Sequence, residues 1–119
     1  MKESGFAIYI EYPELDIYHI NGLEFRMTCI ACPEQYDVFD EEGIQVAYIR
    51  LRYGYLSVDI PDCDGETIYT HEFDDKWKGV FDNEEERFNY LYDIAKIIKE
   101  STIKHLSNDL WFKKVMCII

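Results

Sequence analysis

Basic residues are scarce in this chain of 119 residues, which has 12 Lys and Arg against 24 Asp and Glu and a formal net charge of −12. Such an excess of negative charge repels nucleic-acid phosphates and attracts basic protein surfaces. Long apolar runs are also missing, and the start of the chain, with Glu3 and no apolar core, lacks the pattern of a signal peptide. These absences predict a cytoplasmic protein with no membrane partner and no direct nucleic-acid partner.

Catalytic and cofactor motifs are equally scarce. The sequence has no Gly-rich loop that could hold a phosphate and no Ser, His and Asp spacing typical of a triad. Cys29 and Cys32 have the CxxC spacing of two zinc ligands, but a structural zinc site needs four, and the remaining Cys and His are scattered. We therefore interpret them as free thiols of a reducing compartment, with zinc as the alternative, and expect no cofactor and no catalytic residue.

What is abundant is apolar and aromatic sequence, at 48% and 16% of the chain. This composition is typical of a packed globular protein, and the length suits one domain. We predict a single domain over residues 1–119, mainly β in residues 1–81 and mainly α in residues 82–119. The fold class is α+β: an antiparallel β-meander sheet of five to seven strands, followed by a C-terminal helical part packed on one face.

The clearest local pattern is a β-hairpin over residues 45–60. Two runs of alternating β-formers meet at Tyr53-Gly54, where Gly54 readily supplies the positive φ of a two-residue turn. That turn places Arg52 opposite Tyr55 and collects one apolar face, which we assign to the core: Ala47, Ile49, Leu51, Leu56, Val58 and Ile60. The other face carries aromatic, basic and polar residues.

Further strands are predicted at residues 6–11, 15–20, 23–30, 35–39 and 67–73. The loop at residues 40–43 leaves two registers open. A four-residue loop would pair Val38 with Gln45 and place Tyr36 beside Ala47, whereas a three-residue loop with a bulge would shift the side chains to the opposite face.

A helix is predicted from residue 84, with a cap at Asp82-Asn83 and three acids in the first turn. An apolar stripe at helical spacing follows, made of Phe88, Leu91, Tyr92, Ala95 and Ile98 and broadened by Ile94 and Ile97. Ser101-Thr102 and Ser107-Asn108 are possible caps that would divide the rest into short helices. In that part, Leu106, Leu110, Trp111 and Val115 are expected to face inward.

The acids concentrate in residues 59–86, called here the acidic segment, which holds eleven acids and two bases. We predict one continuous negative surface that contacts a basic protein partner, with a nucleic-acid-binding protein as the candidate. The candidate contacts are Asp59, Asp62, Asp64, Glu66, Asp74 and Asp75. The alternative binding surface is the polar face of the hairpin, with Tyr48, Arg50, Arg52 and Tyr55, because Tyr and Arg are enriched at interfaces.

Two resemblances bear on function. In size and charge the chain is similar to small inhibitors carried by phages and mobile elements, such as anti-CRISPR and anti-restriction proteins, which implies a protein-binding inhibitor rather than an enzyme. Pro61-Asp62 with Asp74-Asp75-Lys76 resembles the PD-(D/E)xK nuclease signature, which implies that the acids hold Mg²⁺ and the Lys assists the attack of water. A structural or homodimerising domain is the third possibility.

Overall fold

The computed structural model describes the backbone of residues 16–118 and the side chains of residues 16–102. It contains six strands, β1 (Ile17–Ile20), β2 (Leu23–Ile30), β3 (Glu34–Phe39), β4 (Gln45–Arg52), β5 (Tyr55–Ile60) and β6 (Glu66–Glu72), and one helix, α1 (Glu84–Ile118). The strands form one antiparallel sheet in sequential order, so the predicted α+β meander is confirmed with six strands. The strand predicted at residues 6–11 lies outside the described residues.

The central hairpin has the predicted register. Arg52 pairs with Tyr55, Leu51 with Leu56 and Ile49 with Val58. Both turn residues have positive φ, 54° at Tyr53 and 71° at Gly54, as in the type I′ turn that matches the twist of paired strands. The sequence predicts the positive φ of Gly54 but not that of Tyr53.

The loop between β3 and β4 takes the bulged form. Asp40 and Ile44 close a three-residue loop through a 2.9 Å backbone hydrogen bond, and the Asp40 carboxylate accepts hydrogen bonds from the amides of Glu42 and Ile44 at 2.9 and 3.0 Å. Val38 therefore pairs with Ala47, and the pairing of Val38 with Gln45 is wrong. The expected shift of the side chains to the opposite face is also wrong, because the bulge offsets the odd number of loop residues and keeps Val38 in the core.

The helix begins where the sequence predicts, because the Asn83 side chain caps it by accepting the Glu86 amide at 2.8 Å. The predicted divisions near Ser101 and Ser107 are wrong, since α1 is continuous to Ile118. At the first of these sites Thr102 donates its hydroxyl to the Ile98 carbonyl at 2.9 Å, a bond that lets a Thr remain inside a helix. The side chains predicted to face inward beyond this point lie outside the described ones.

The core lies between the apolar face of the sheet and one side of α1, where Leu91, Ile94, Ala95 and Ile98 are buried. Phe88 and Tyr92 were expected there, but they are 48% and 45% exposed. The sheet-facing place in that turn belongs to Arg87, which binds the buried Glu34, so Phe88 turns outward and stacks on the exposed Tyr92 at 6.0 Å.

The sheet curves around the beginning of the helix. Six strands spaced about 4.8 Å apart put roughly 24 Å between the outer strands of a flat sheet, about twice the diameter of a helix. Nevertheless α1 reaches both outer strands within two turns, through Glu84 to Tyr18 at 3.0 Å and Tyr90 to His71 at 3.2 Å. The opposite, convex face of the sheet carries the polar residues.

Among the helical residues described, no stretch is both long and apolar enough to span a membrane.

Candidate binding surface

Two large aromatic side chains project from one end of the sheet. Tyr53 lies in the turn between β4 and β5, and Trp77 lies in the segment between β6 and α1. They are 62% and 80% exposed, and their rings meet edge to face with centroids 6.4 Å apart. We call Tyr53, Tyr55, Phe73 and Trp77 the aromatic end.

Concave surfaces lie on both sides of this aromatic pair. The larger is an open cleft of about 780 Å³, lined by Tyr53, Gly54, Tyr55, Glu72, Phe73, Lys76 and Trp77. The smaller, about 220 Å³, is lined by Cys32, Arg52, Tyr53, Trp77 and Gly79. Tyr53 and Trp77 therefore form a ridge between two hollows, which suits insertion into a partner better than enclosure of a small ligand.

The segment that carries Trp77 is fixed by backbone hydrogen bonds to the sheet. Gly54 donates to the Lys78 carbonyl and accepts from the Phe73 amide, both at 2.8 Å. The Gly79 carbonyl accepts from Cys32 at 2.9 Å and Glu34 at 2.8 Å. Trp77 is thus exposed on a backbone that is already ordered.

Glycine makes this close approach possible. A Cβ on Gly54 would stand 2.4 Å from the Asp75 carbonyl oxygen, in addition to the positive φ that the turn requires. A Cβ on Gly79 would stand 2.9 Å from Cys32 Cα. Two glycines far apart in sequence therefore allow the Trp77 segment to pack against the sheet.

Lys78 ties the same segment to the start of the helix. Its side chain is buried, and Nζ contacts Asp82 at 2.7 Å and Glu86 at 3.1 Å while lying 5.1 Å above the Phe73 ring. Burial alone would lower the pKa of Lys78, but its hydrogen bonds to the two carboxylates raise it. The amine stays charged and holds both acids.

A buried ion pair also joins the sheet to α1. Glu34 is fully buried and receives Arg87 Nε at 2.7 Å, Arg87 Nη2 at 3.2 Å and the Phe81 amide at 3.0 Å. The Tyr36 hydroxyl also donates to Glu34, and burial together with this bond raises the pKa of Tyr36. Arg87 extends the network to Glu84 at 2.6 Å.

The Tyr and Arg residues predicted as a binding face lie together on the sheet face away from α1. Arg50, Arg52 and Tyr55 are exposed, whereas Tyr48 is half-buried and donates its hydroxyl to Gln35. Arg52, Tyr55 and Glu72 lie side by side on three adjacent strands. This row joins the polar face to the aromatic end.

The acidic segment is not one patch. Asp59, Asp62, Asp64 and Glu66 lie around the β5–β6 turn, whereas Asp74 and Asp75 follow the other end of β6. Seven residues of strand at about 3.3 Å each put roughly 20 Å between the two groups. Asp59 also accepts a 2.7 Å hydrogen bond from Thr67, and Asp75 caps the Trp77 amide at 2.9 Å.

The same separation bears on the nuclease-like residues. Asp62 and Asp74 would have to share one cation, but β6 holds them apart. Within residues 16–102, no three His, Cys, Asp or Glu side chains come together as a metal site. Cys29, half-buried, and Cys32, exposed, are free thiols.

Sequence reasoning missed Trp77, Glu34 and Arg87. The signal for Trp77 was available, because a Trp in the polar run Asp74-Asp75-Lys76-Trp77-Lys78 belongs to no apolar period and therefore has no predicted place in the core. No local signal identifies Glu34, since its partner lies far along the chain.

No protein-family model matches the chain, and neither curated protein sequences nor solved structures show significant similarity to it.

Proposed function

We propose that the protein is a non-catalytic binding module that docks on a basic surface of another protein through its aromatic end. The observation that carries this proposal is the 80% exposure of Trp77 on a segment pinned to the sheet. Trp, Tyr and Arg dominate the energetics of protein interfaces, and all three occur here in Trp77, Tyr53 and Arg52. An ordered backbone supports tight binding because little conformational entropy remains to be lost.

The charge of the chain supports the choice of partner. Glu72, Asp74 and Asp75 lie beside the aromatic ridge, and the whole chain carries −12. Charge of this kind steers association with a positively charged surface. The simplest partner is a nucleic-acid-binding protein whose basic surface the module covers, and such a module would act as an inhibitor, as do the phage and mobile-element proteins of similar size and charge.

The test is capture of partners from native host lysate at low and high salt, with Trp77→Ala and Tyr92→Ala variants. Tyr92 is an exposed aromatic on α1, distant in sequence from the aromatic end, and serves as the matched control. The proposal predicts a partner that is lost at high salt and weakened at least tenfold by Trp77→Ala only, since an interface anchor contributes about 2 kcal/mol or more. Equal binding of both variants would refute the assigned surface.

Two other outcomes would replace the proposal. Concentration-dependent dimerisation that Trp77→Ala abolishes would make the aromatic end a contact between copies of the chain. Cleavage of DNA or RNA in Mg²⁺ or Mn²⁺ that disappears in both Asp62→Ala and Lys76→Ala would support the nuclease.

A further inference from the structure

Strand β6 is the last strand of the sheet in the part of the chain that the structure describes. Among the described residues it pairs with β5 alone. Natural edge strands are usually shielded by Pro, by Lys, by a β-bulge or by being short. β6 has seven residues, Glu66–Glu72, with neither Pro nor Lys, whereas β1 at the opposite edge has only four. The register of β6 with β5 shifts between Thr67 and Tyr69, so the regular part of the edge is Tyr69–Glu72.

The register shows which backbone groups of β6 face outward. In an antiparallel sheet, residues alternate between pointing their N–H and C=O toward one neighbour and toward the other. Across a two-residue turn, Arg52 and Tyr55 bond to each other, so Tyr55 turns away from its partner Glu72 on β6. The 2.8 Å bond from the Phe73 amide to the Gly54 carbonyl fits the same alternation.

It follows that Glu72 and, two residues earlier, Thr70 direct their backbone groups to the open edge. Both residues are exposed. A strand added there would bond to these groups without disturbing the ladder between β5 and β6.

The charges along β6 indicate which kind of strand could be added at this edge. The interior of β6 has no Asp, Glu, Lys or Arg, while acids flank both ends: Asp62, Asp64 and Glu66 at one, Glu72 and Asp74 at the other. A second copy of the chain fits poorly, because antiparallel pairing centred on Tyr69 would set Glu66 against Glu72 of the other copy. The complement is an extended segment with basic residues at both ends and a neutral centre.

We propose that the outer edge of β6 takes an extended basic segment of the partner as a seventh strand. This deepens the proposed function, on which it rests, by naming how the partner binds. Main-chain hydrogen bonds give such strand addition its affinity and the flanking side chains its specificity. The added strand would run past Glu72 toward the cleft of the aromatic end.

The experiment uses a synthetic peptide with Lys and Arg at both ends of an alternating Thr and Val centre as long as β6, with an acid-ended peptide as control. Thr70→Pro removes one outward N–H and is compatible with an edge strand, since Pro is tolerated where the N–H faces solvent. Thr70→Ala changes the side chain but keeps that N–H. Thermal melting confirms that both variants are folded.

We expect the basic peptide to bind at low salt, to slow hydrogen exchange at the Thr70 and Glu72 amides, and to bind Thr70→Pro at least tenfold more weakly than Thr70→Ala. Equal binding of the two variants, unchanged exchange in β6 or no binding at low salt would overturn the inference. If the partner captured from lysate depends on Trp77 but not on the Thr70 backbone, strand addition fails while the proposed function stands. If no captured partner depends on Trp77 for binding, the proposed function itself is refuted.

Discussion

At the scale of single residues, the buried pair of Glu34 and Arg87 decides how the sheet and the helix meet. Glu34 is 0% exposed and accepts hydrogen bonds from Arg87, Tyr36 and the Phe81 amide. A charge can be buried only when its partners replace the lost water. Removing either member would leave the other as an unpaired buried charge and would lower the free energy of unfolding.

Glu34→Gln removes the negative charge and leaves Glu84, which is exposed, as the acid paired with Arg87. We expect the free energy of unfolding to fall by about 3 kcal/mol, as for other broken buried pairs. Glu84→Gln is the control, because the Glu84 side chain is 70% exposed, and exposed pairs contribute about 1 kcal/mol or less. Urea denaturation measures both, and equal losses would show that the buried pair has no special role.

The tyrosines of the same network predict a loss of stability in alkali. Burial and the hydrogen bond to Glu84 raise the pKa of Tyr18 to about 12 in the folded protein, from 10.0 in the unfolded chain, and Tyr36 shifts in the same direction. The unfolded chain therefore releases these protons first. The stabilisation is complete below pH 10 and is lost as the pH rises to about 12.

Urea denaturation at several pH values across that range should show a falling free energy of unfolding, with a shallower fall in Tyr18→Phe. A fall of equal slope in Tyr18→Phe and the wild type would show that Tyr18 does not contribute.

At the scale of elements, the hairpin of β4 and β5 is the part whose core placement can be tested directly. Ile49 is 1% exposed and Arg50, its neighbour, is exposed on the opposite face. Ile49→Asp would bury an unpaired charge, so we expect no soluble folded protein. Arg50→Asp on the same strand should melt close to the wild type, and a folded Ile49→Asp would contradict the register.

The contrast between these elements shows how far the sequence predicts the fold. The hairpin follows from the alternation of residues about a Gly turn, and the start of α1 follows from an Asn cap before three acids. Both are local rules, and both elements are observed. Phe88 faces outward because its neighbour Arg87 binds Glu34, which lies far away in the sequence. No local sequence pattern could therefore predict either the exposure of Phe88 or the burial of Glu34. Trp77 is the intermediate case, because its lack of an apolar period is a local signal of exposure that the sequence prediction did not use.

At the scale of the whole molecule, the topology separates acidic residues that lie close together in the sequence. Residues 59–86 form one acidic run in the chain, but β6 holds the acids at its two ends roughly 20 Å apart, and the remaining four acids, Asp82 and Glu84–Glu86, lie at the start of α1. That distance exceeds the Debye length of about 8 Å at physiological ionic strength. The two groups should therefore act on a partner as independent charges at the ends of one strand.

Asp62→Lys and Asp74→Lys reverse one exposed acid at each end. We expect each to slow association with the captured partner several-fold at low salt, and the double variant to show the product of the two effects, because distant sites add in free energy. Asp93→Lys reverses an exposed acid on α1 and is the control for each single variant, with the same change in net charge. Association rates measured against salt concentration test this, and the variants at the ends of β6 should also show a weaker salt dependence. If each single variant associates as fast as Asp93→Lys, the acids at the ends of β6 serve only solubility, and the contact would rest on the aromatic end and the adjoining face with Tyr48, Arg50, Arg52 and Tyr55.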